Sequence, residues 1–198
     1  MREPIDMDWL DRYDEHLTGA SREDHAAAAD QLVGWAEEPH PEDDVWRGDL
    51  LLRAAFQRSE AGDAEGALAL ALRASQAGIS EGADPRAFAT ELHFLLDRPE
   101  EARAVSEDLR RSRPDTAETY WTMATIWEAH QDPKQALAWY NRGIALVEDT
   151  DGPPADLGLL CSGRWRIRQS LGLAPDDLDE LGMGFDEAVA EHLDDAHG

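Results

Sequence analysis

The chain has one cysteine, Cys161, and one lysine, Lys134, among 198 residues. A single thiol permits no intrachain disulfide and no cysteine-built zinc site, so an oxidising compartment is not indicated and the cytoplasm is the expected location. Positive charge is scarce as well: 18 basic residues stand against 43 acidic ones, a net charge of −25. That balance opposes direct binding to nucleic acid or to an anionic membrane surface and favours basic or amphipathic partners. Long apolar runs are missing too. The longest, Ala67 to Leu72, falls far short of a membrane span, and the opening stretch MREPIDMDWLDRYDEHL has no apolar signal core. No segment shows the two-residue alternation of a half-buried strand.

What is present suffices for a folded core. Hydrophobic residues make up 42% of the chain, with seven tryptophans, which separates it from disordered acidic tails. Apolar residues recur at spacings of three and four from Ile5 to Leu17, Ala26 to Trp35, Val45 to Arg58 and Ala67 to Ala77. The pattern continues from Phe88 to Leu96, Ala102 to Leu109, Tyr120 to His130, Ala136 to Val147 and Leu157 to Leu171. Three of the breaks between these helices align: Gly62-Asp63-Ala64-Glu65-Gly66-Ala67, Asp97-Arg98-Pro99-Glu100-Glu101-Ala102 and Gln131-Asp132-Pro133-Lys134-Gln135-Ala136. Their closing alanines lie 35 and 34 residues apart. Asp63 and Asp132 are suited to accept backbone N–H bonds as N-caps, and Pro99 and Pro133 to open a helix. The alanines allow two helices to approach closely. A two-helix unit recurring every 34 or 35 residues predicts an α-solenoid.

The stretch YWTMATIWEAHQDPKQALAWYNRG carries the clearest unit. Tyr120, Met123-Ala124 and Trp127 on its first helix, and Ala136, Tyr140 and Gly143 on its second, resemble the tetratricopeptide repeat (TPR) family. Leu51, Ala54-Ala55, Arg58, Ala67 and Ala71 make a degenerate earlier unit, as do Arg86, Ala89-Thr90, His93, Ala102 and Ser106. The resemblance implies an all-α fold of antiparallel helix pairs stacked as a short TPR-like α-solenoid. About five pairs are expected in one domain: an N-terminal pair in residues 1–40, three TPR-like repeats in 42–150, and capping helices in 154–198. Gly182-Met183-Gly184 predicts a kink or split in the last helix. The stretch GRWRIRQSLGLAPDDLDELG also resembles bacterial helical-repeat proteins that bear a Cys-rich zinc motif, but one cysteine cannot form that motif.

Chemistry-bearing patterns are weak. With 43 carboxylates, pairs at acid/base separations arise by chance, and no catalytic residue is assigned. The seven histidines are scattered, with no metal-ligand spacing, so neither a metal nor a cofactor is expected. His93 occupies the position of Trp127 in its repeat and reads as a packing residue. Cys161 reads as a small buried hydrophobe, and the nucleophile elbow, P-loop and dinucleotide glycine motifs are absent. The arginines at 164, 166 and 168 read first as partners for the acidic run from Asp176 to Glu187, and those at 110, 111 and 113 as a helix-end feature.

By resemblance, the first helices of the repeats line a groove. Leu52, Phe56 and Glu60 would contribute from one unit, Ala87, Glu91 and Phe94 from the next, and Trp121, Thr125 and Glu128 from the third. An aromatic and acidic surface of this kind suits a basic or amphipathic peptide or protein, with rings supplying affinity and carboxylates steering. Family members that clamp a C-terminal carboxylate use groove cations, for which only Arg53 has a counterpart. The expected function is therefore a non-catalytic interaction scaffold or adaptor. An acidic mimic of nucleic acid, or an enzyme or small-molecule sensor with a site assembled by tertiary contacts, are the alternatives.

Overall fold

A computed structural model describes residues 2–197, with side chains as far as residue 192. Among the described residues there are ten helices and no strand. They are α1 (Met7–His16), α2 (Arg22–Glu37), α3 (Arg47–Glu60), α4 (Ala64–Ala77), α5 (Pro85–Leu95), α6 (Pro99–Ser112), α7 (Ala117–Ala129), α8 (Pro133–Thr150), α9 (Pro154–Ser170) and α10 (Asp177–His197). Five successive helix pairs result: α2 to α6 and α7 to α10 each pack on their chain neighbours within two compact units, Met1–Ser112 and Arg113–Gly198, and α1 meets α2 where Trp9 and Tyr13 touch Trp35.

The three aligned breaks share one backbone geometry. Gly62, Asp97 and Gln131 each take a left-handed conformation, with φ of 86°, 57° and 58°. The following residue's N–H then reaches back five positions, from Asp63 to the Arg58 carbonyl, Arg98 to His93 and Asp132 to Trp127, at 2.9, 2.9 and 3.0 Å. This hydrogen-bond pattern ends a helix by satisfying otherwise orphaned carbonyls. The next helix starts at once. Asp63 accepts the Gly66 N–H at 2.9 Å, Asp132 accepts the Gln135 N–H at 3.1 Å, and Pro99 and Pro133 are first helical residues. Ala67, Ala102 and Ala136 are each fully buried where paired helices meet.

In the first unit the core is built of leucine and alanine, including Leu32, Leu51, Ala54 and Ala71, all fully buried. In the second, tyrosine and tryptophan fill the interior: Trp127, Trp139 and Tyr140 are at most 2% exposed. Glycines permit the second unit's helices to close up. A Cβ on Gly182 would stand 2.5 Å from the Cys161 carbonyl, and one on Gly163 would strike the Tyr140 ring. Of the kink or split expected at Gly182-Met183-Gly184, the split does not occur, because α10 runs continuously through it. Gly182 is a point of contact with α9, and its intrahelical cost is offset by packing no larger residue could achieve.

The acidic run after α9 folds back as its charge predicts. Arg164, 7% exposed, bonds both oxygens of Asp176 at 2.8 and 2.7 Å, reaches Asp179, and donates to Asn141 Oδ1 at 2.9 Å. Arg168 donates to the other Asp179 oxygen at 2.7 Å. Asp176 and Asp179 also accept each other's backbone N–H at 3.2 and 3.1 Å, so the start of α10 is capped by the same carboxylates that hold the arginines. The Arg164 guanidinium keeps the Asp176 carboxyl well below the usual carboxylate range. Arg110 and Arg111 pair with Glu107 within α6, one turn back.

Candidate binding surface

Helix α3 presents Leu52, Phe56 and Glu60 at four-residue intervals, which sets them along one face. Leu52 is half-buried, Phe56 is 41% exposed and Glu60 is exposed. The Phe56 ring meets Phe88 of α5 with centroids 4.3 Å apart and planes tilted by 41°. From Phe88 the α5 face continues to exposed Glu91 and to Leu95, which is 65% exposed. A contiguous aromatic pair is thus flanked along its two helices by carboxylates and a bare leucine. Phe88 and Leu95 were not among the residues expected from the repeat pattern. Phe88 falls one position beyond the expected groove site, Ala87, which is 1% exposed and belongs to the core. Phe94 is half-buried.

In the second unit, Trp121 and Thr125 of α7 are half-buried, and the Thr125 hydroxyl donates to the Thr122 carbonyl at 2.8 Å. Glu128 is engaged internally, accepting from the Tyr140 hydroxyl at 3.1 Å and from Arg166 at 3.4 Å. Burial first, and then the Glu128 charge, raises the Tyr140 phenol above its ordinary value.

Cations near the first-unit surface are likewise taken up. Arg53 donates to Asp14 at 2.5 Å and to Asp11 at 2.6 Å. Gln57 joins them, donating to Asp14 at 2.8 Å and meeting buried His25 Nδ1 at 2.6 Å. Arg53 therefore spends its donors on this chain's own carboxylates. Arg58 pairs with Asp30, Arg73 with Glu37, and Arg98 with Glu65. Even if every basic residue held one acid, 25 carboxylates would lack a cation, so the surface field is strongly negative.

The groups with chemical potential sit in packing roles. Cys161 is fully buried, and burial pushes its thiol up to about 11, which suppresses the nucleophilic thiolate. The His93 Nδ1 is buried with no hydrogen-bond partner, and burial lowers the ring's affinity for a proton. Among the described residues no three His, Cys, Asp or Glu side chains gather where they could hold a metal ion. A shallow concavity of about 480 Å³ beside α1 and α2 is lined by residues including Tyr13, His16, Asp24 and Gln31, but it is open to solvent, and Tyr13 and Gln31 bond each other at 2.8 Å. No described helix is long and apolar enough to cross a membrane.

Comparison with protein families, with curated proteins and with solved structures finds no match to this chain.

Proposed function

We propose that the protein is a non-catalytic, TPR-like interaction scaffold, working in the cytoplasm without a cofactor, that takes a basic or amphipathic peptide or protein on the α3–α5 face. One observation carries this reading: Phe56, 41% exposed, lies against Phe88, and exposed Glu60 and Glu91 follow one turn further along the two helices. A part-exposed aromatic pair is costly to leave in water, and aromatic side chains are enriched at binding hot spots. The surrounding negative field selects cationic flanks and accelerates their encounter. Trp121, Thr125 and Glu128 are proposed as a separate surface of the second unit by the repeat analogy alone.

The test is affinity capture from lysate at low and high salt, comparing wild type with Phe56→Ala and identifying what is retained. A partner that resists salt and is lost with Phe56→Ala supports the aromatic face. Unchanged retention by Phe56→Ala sinks it. The acid excess favours one second reading, a nucleic-acid mimic. That reading predicts a basic partner released by salt and indifferent to Phe56.

A further inference from the structure

Residues 2–6 ahead of α1 are not helical, yet Arg2 and Ile5 are firmly seated. Ile5 is 3% exposed, its N–H donates to Asp43 Oδ1 at 2.9 Å, and its carbonyl accepts the Asp44 N–H at 2.9 Å. Arg2 meets the same carboxylate with both terminal nitrogens, one of them at 2.7 Å from Oδ1, and also donates to the Glu3 carbonyl at 2.9 Å. Its guanidinium carbon stands 5.6 Å from the centre of the Trp35 ring. A planar cation is thus held edge-on by a carboxylate and face-on by an indole, an arrangement for which lysine has no equivalent geometry.

Two facts separate the socket from its occupant. The socket is held by contacts that do not involve the arm: His40 N–H donates to Asp43 Oδ2 at 2.8 Å, and Trp35 is wedged edge-to-face against Trp9 and Tyr13, with centroids 5.2 and 5.8 Å away. The occupant, in contrast, fits imperfectly, because Arg2 Nε is buried without an acceptor.

We propose that Trp35 and Asp43 form a binding site for a peptide segment carrying an arginine and, three residues later, an aliphatic side chain, and that Arg2 and Ile5 fill it as an internal stand-in. A partner's segment that satisfies the third guanidinium nitrogen competes with the arm, and the net charge of −25 draws such cationic segments to the protein. This site lies apart from Phe56 and does not depend on the reading of the α3–α5 face.

The experiment uses the full chain carrying Arg2→Ala and Ile5→Ala, and a fluorescein-labelled peptide REPIDM copied from residues 2–7. Fluorescence anisotropy is expected to show the peptide binding this variant at least about tenfold more tightly than wild type, because the competing arm is disabled. Adding Asp43→Asn, or replacing the peptide's arginine by alanine, is expected to abolish binding, while Phe56→Ala leaves it unchanged. Equal affinity for wild type and variant, or binding to neither, overturns the proposal. Should the variant not fold, amide hydrogen exchange on wild type decides. Exchange at Ile5 and Asp44 about a hundredfold faster than at Leu32 shows that the arm undocks while the core stands, and equal protection shows a fixed part of the fold and overturns it.

Discussion

The two compact units use one local plan and opposite materials. Residues 113–192 bury four of their seven rings, Tyr120, Trp127, Trp139 and Tyr140, and leave Trp121, Trp165 and Phe185 half-buried. Residues 2–112 build the interior from leucine and alanine and leave rings at or near the surface: Trp46 is 58% exposed, Phe56 is 41% exposed, and Trp9, Tyr13, Trp35 and Phe88 are half-buried. The unit that best matches a repeat pattern is therefore the one whose aromatics are occupied with packing. The degenerate unit has rings to spare. In this chain a strong aromatic signature marks a core, and departure from it marks a candidate surface.

Substitutions can break this contrast. The largest effect is expected for Trp139→Ala, a loss of about 3–5 kcal/mol in urea denaturation, because a fully buried ring leaves a cavity that its neighbours cannot fill. Next comes Asp179→Ala, at about 3 kcal/mol, since it strips a fully buried carboxylate from Arg164 and Arg168. The double change Asp179→Leu with Arg164→Leu is expected to recover most of that loss, which separates the cost of an unpaired charge from the worth of the pair. Asp43 sharpens the comparison through pH. Arg2 hydrogen bonding lowers its carboxyl to about 2 from an ordinary 3.8. Its depressed value means that its stabilising contribution is complete above the unfolded value and disappears as pH falls through the folded one. The stability gap between wild type and Asp43→Asn should therefore shrink from about pH 5 to about pH 2. The smallest effect is expected for Phe56→Ala, about 1 kcal/mol or less, because its ring is already part-exposed and gives up mainly the Phe88 contact. A loss as large as that of Trp139→Ala would assign Phe56 to the core and remove the contrast.

The fold was legible because its punctuation is chemical. Glycine, aspartate and proline at the aligned turns have backbone preferences that hold wherever they sit, and Ala67, Ala102 and Ala136 mark close helix contact by size alone. The return of Asp176 and Asp179 to Arg164 and Arg168 followed from charge and proximity in the chain. The candidate surface was less legible. Phe56 and Glu60 were expected from repeat register and are exposed, but Phe88 and Leu95 were not anticipated because ring exposure depends on which residue faces it across two helices. That Gly182 sits inside a continuous helix was missed for a similar reason: its propensity as a helix breaker is local, whereas its contact with Cys161 lies twenty-one residues away. The Arg2 socket left no periodic signal, since it joins an isolated arginine to an aspartate forty-one residues distant.

The buried thiol of Cys161 makes the protein its own chemical clock. Being the only sulfhydryl, and fully buried with its ionisation suppressed, it is expected to ignore an alkylating reagent until the helices around it open. The labelling rate then counts opening events of one region without any added probe.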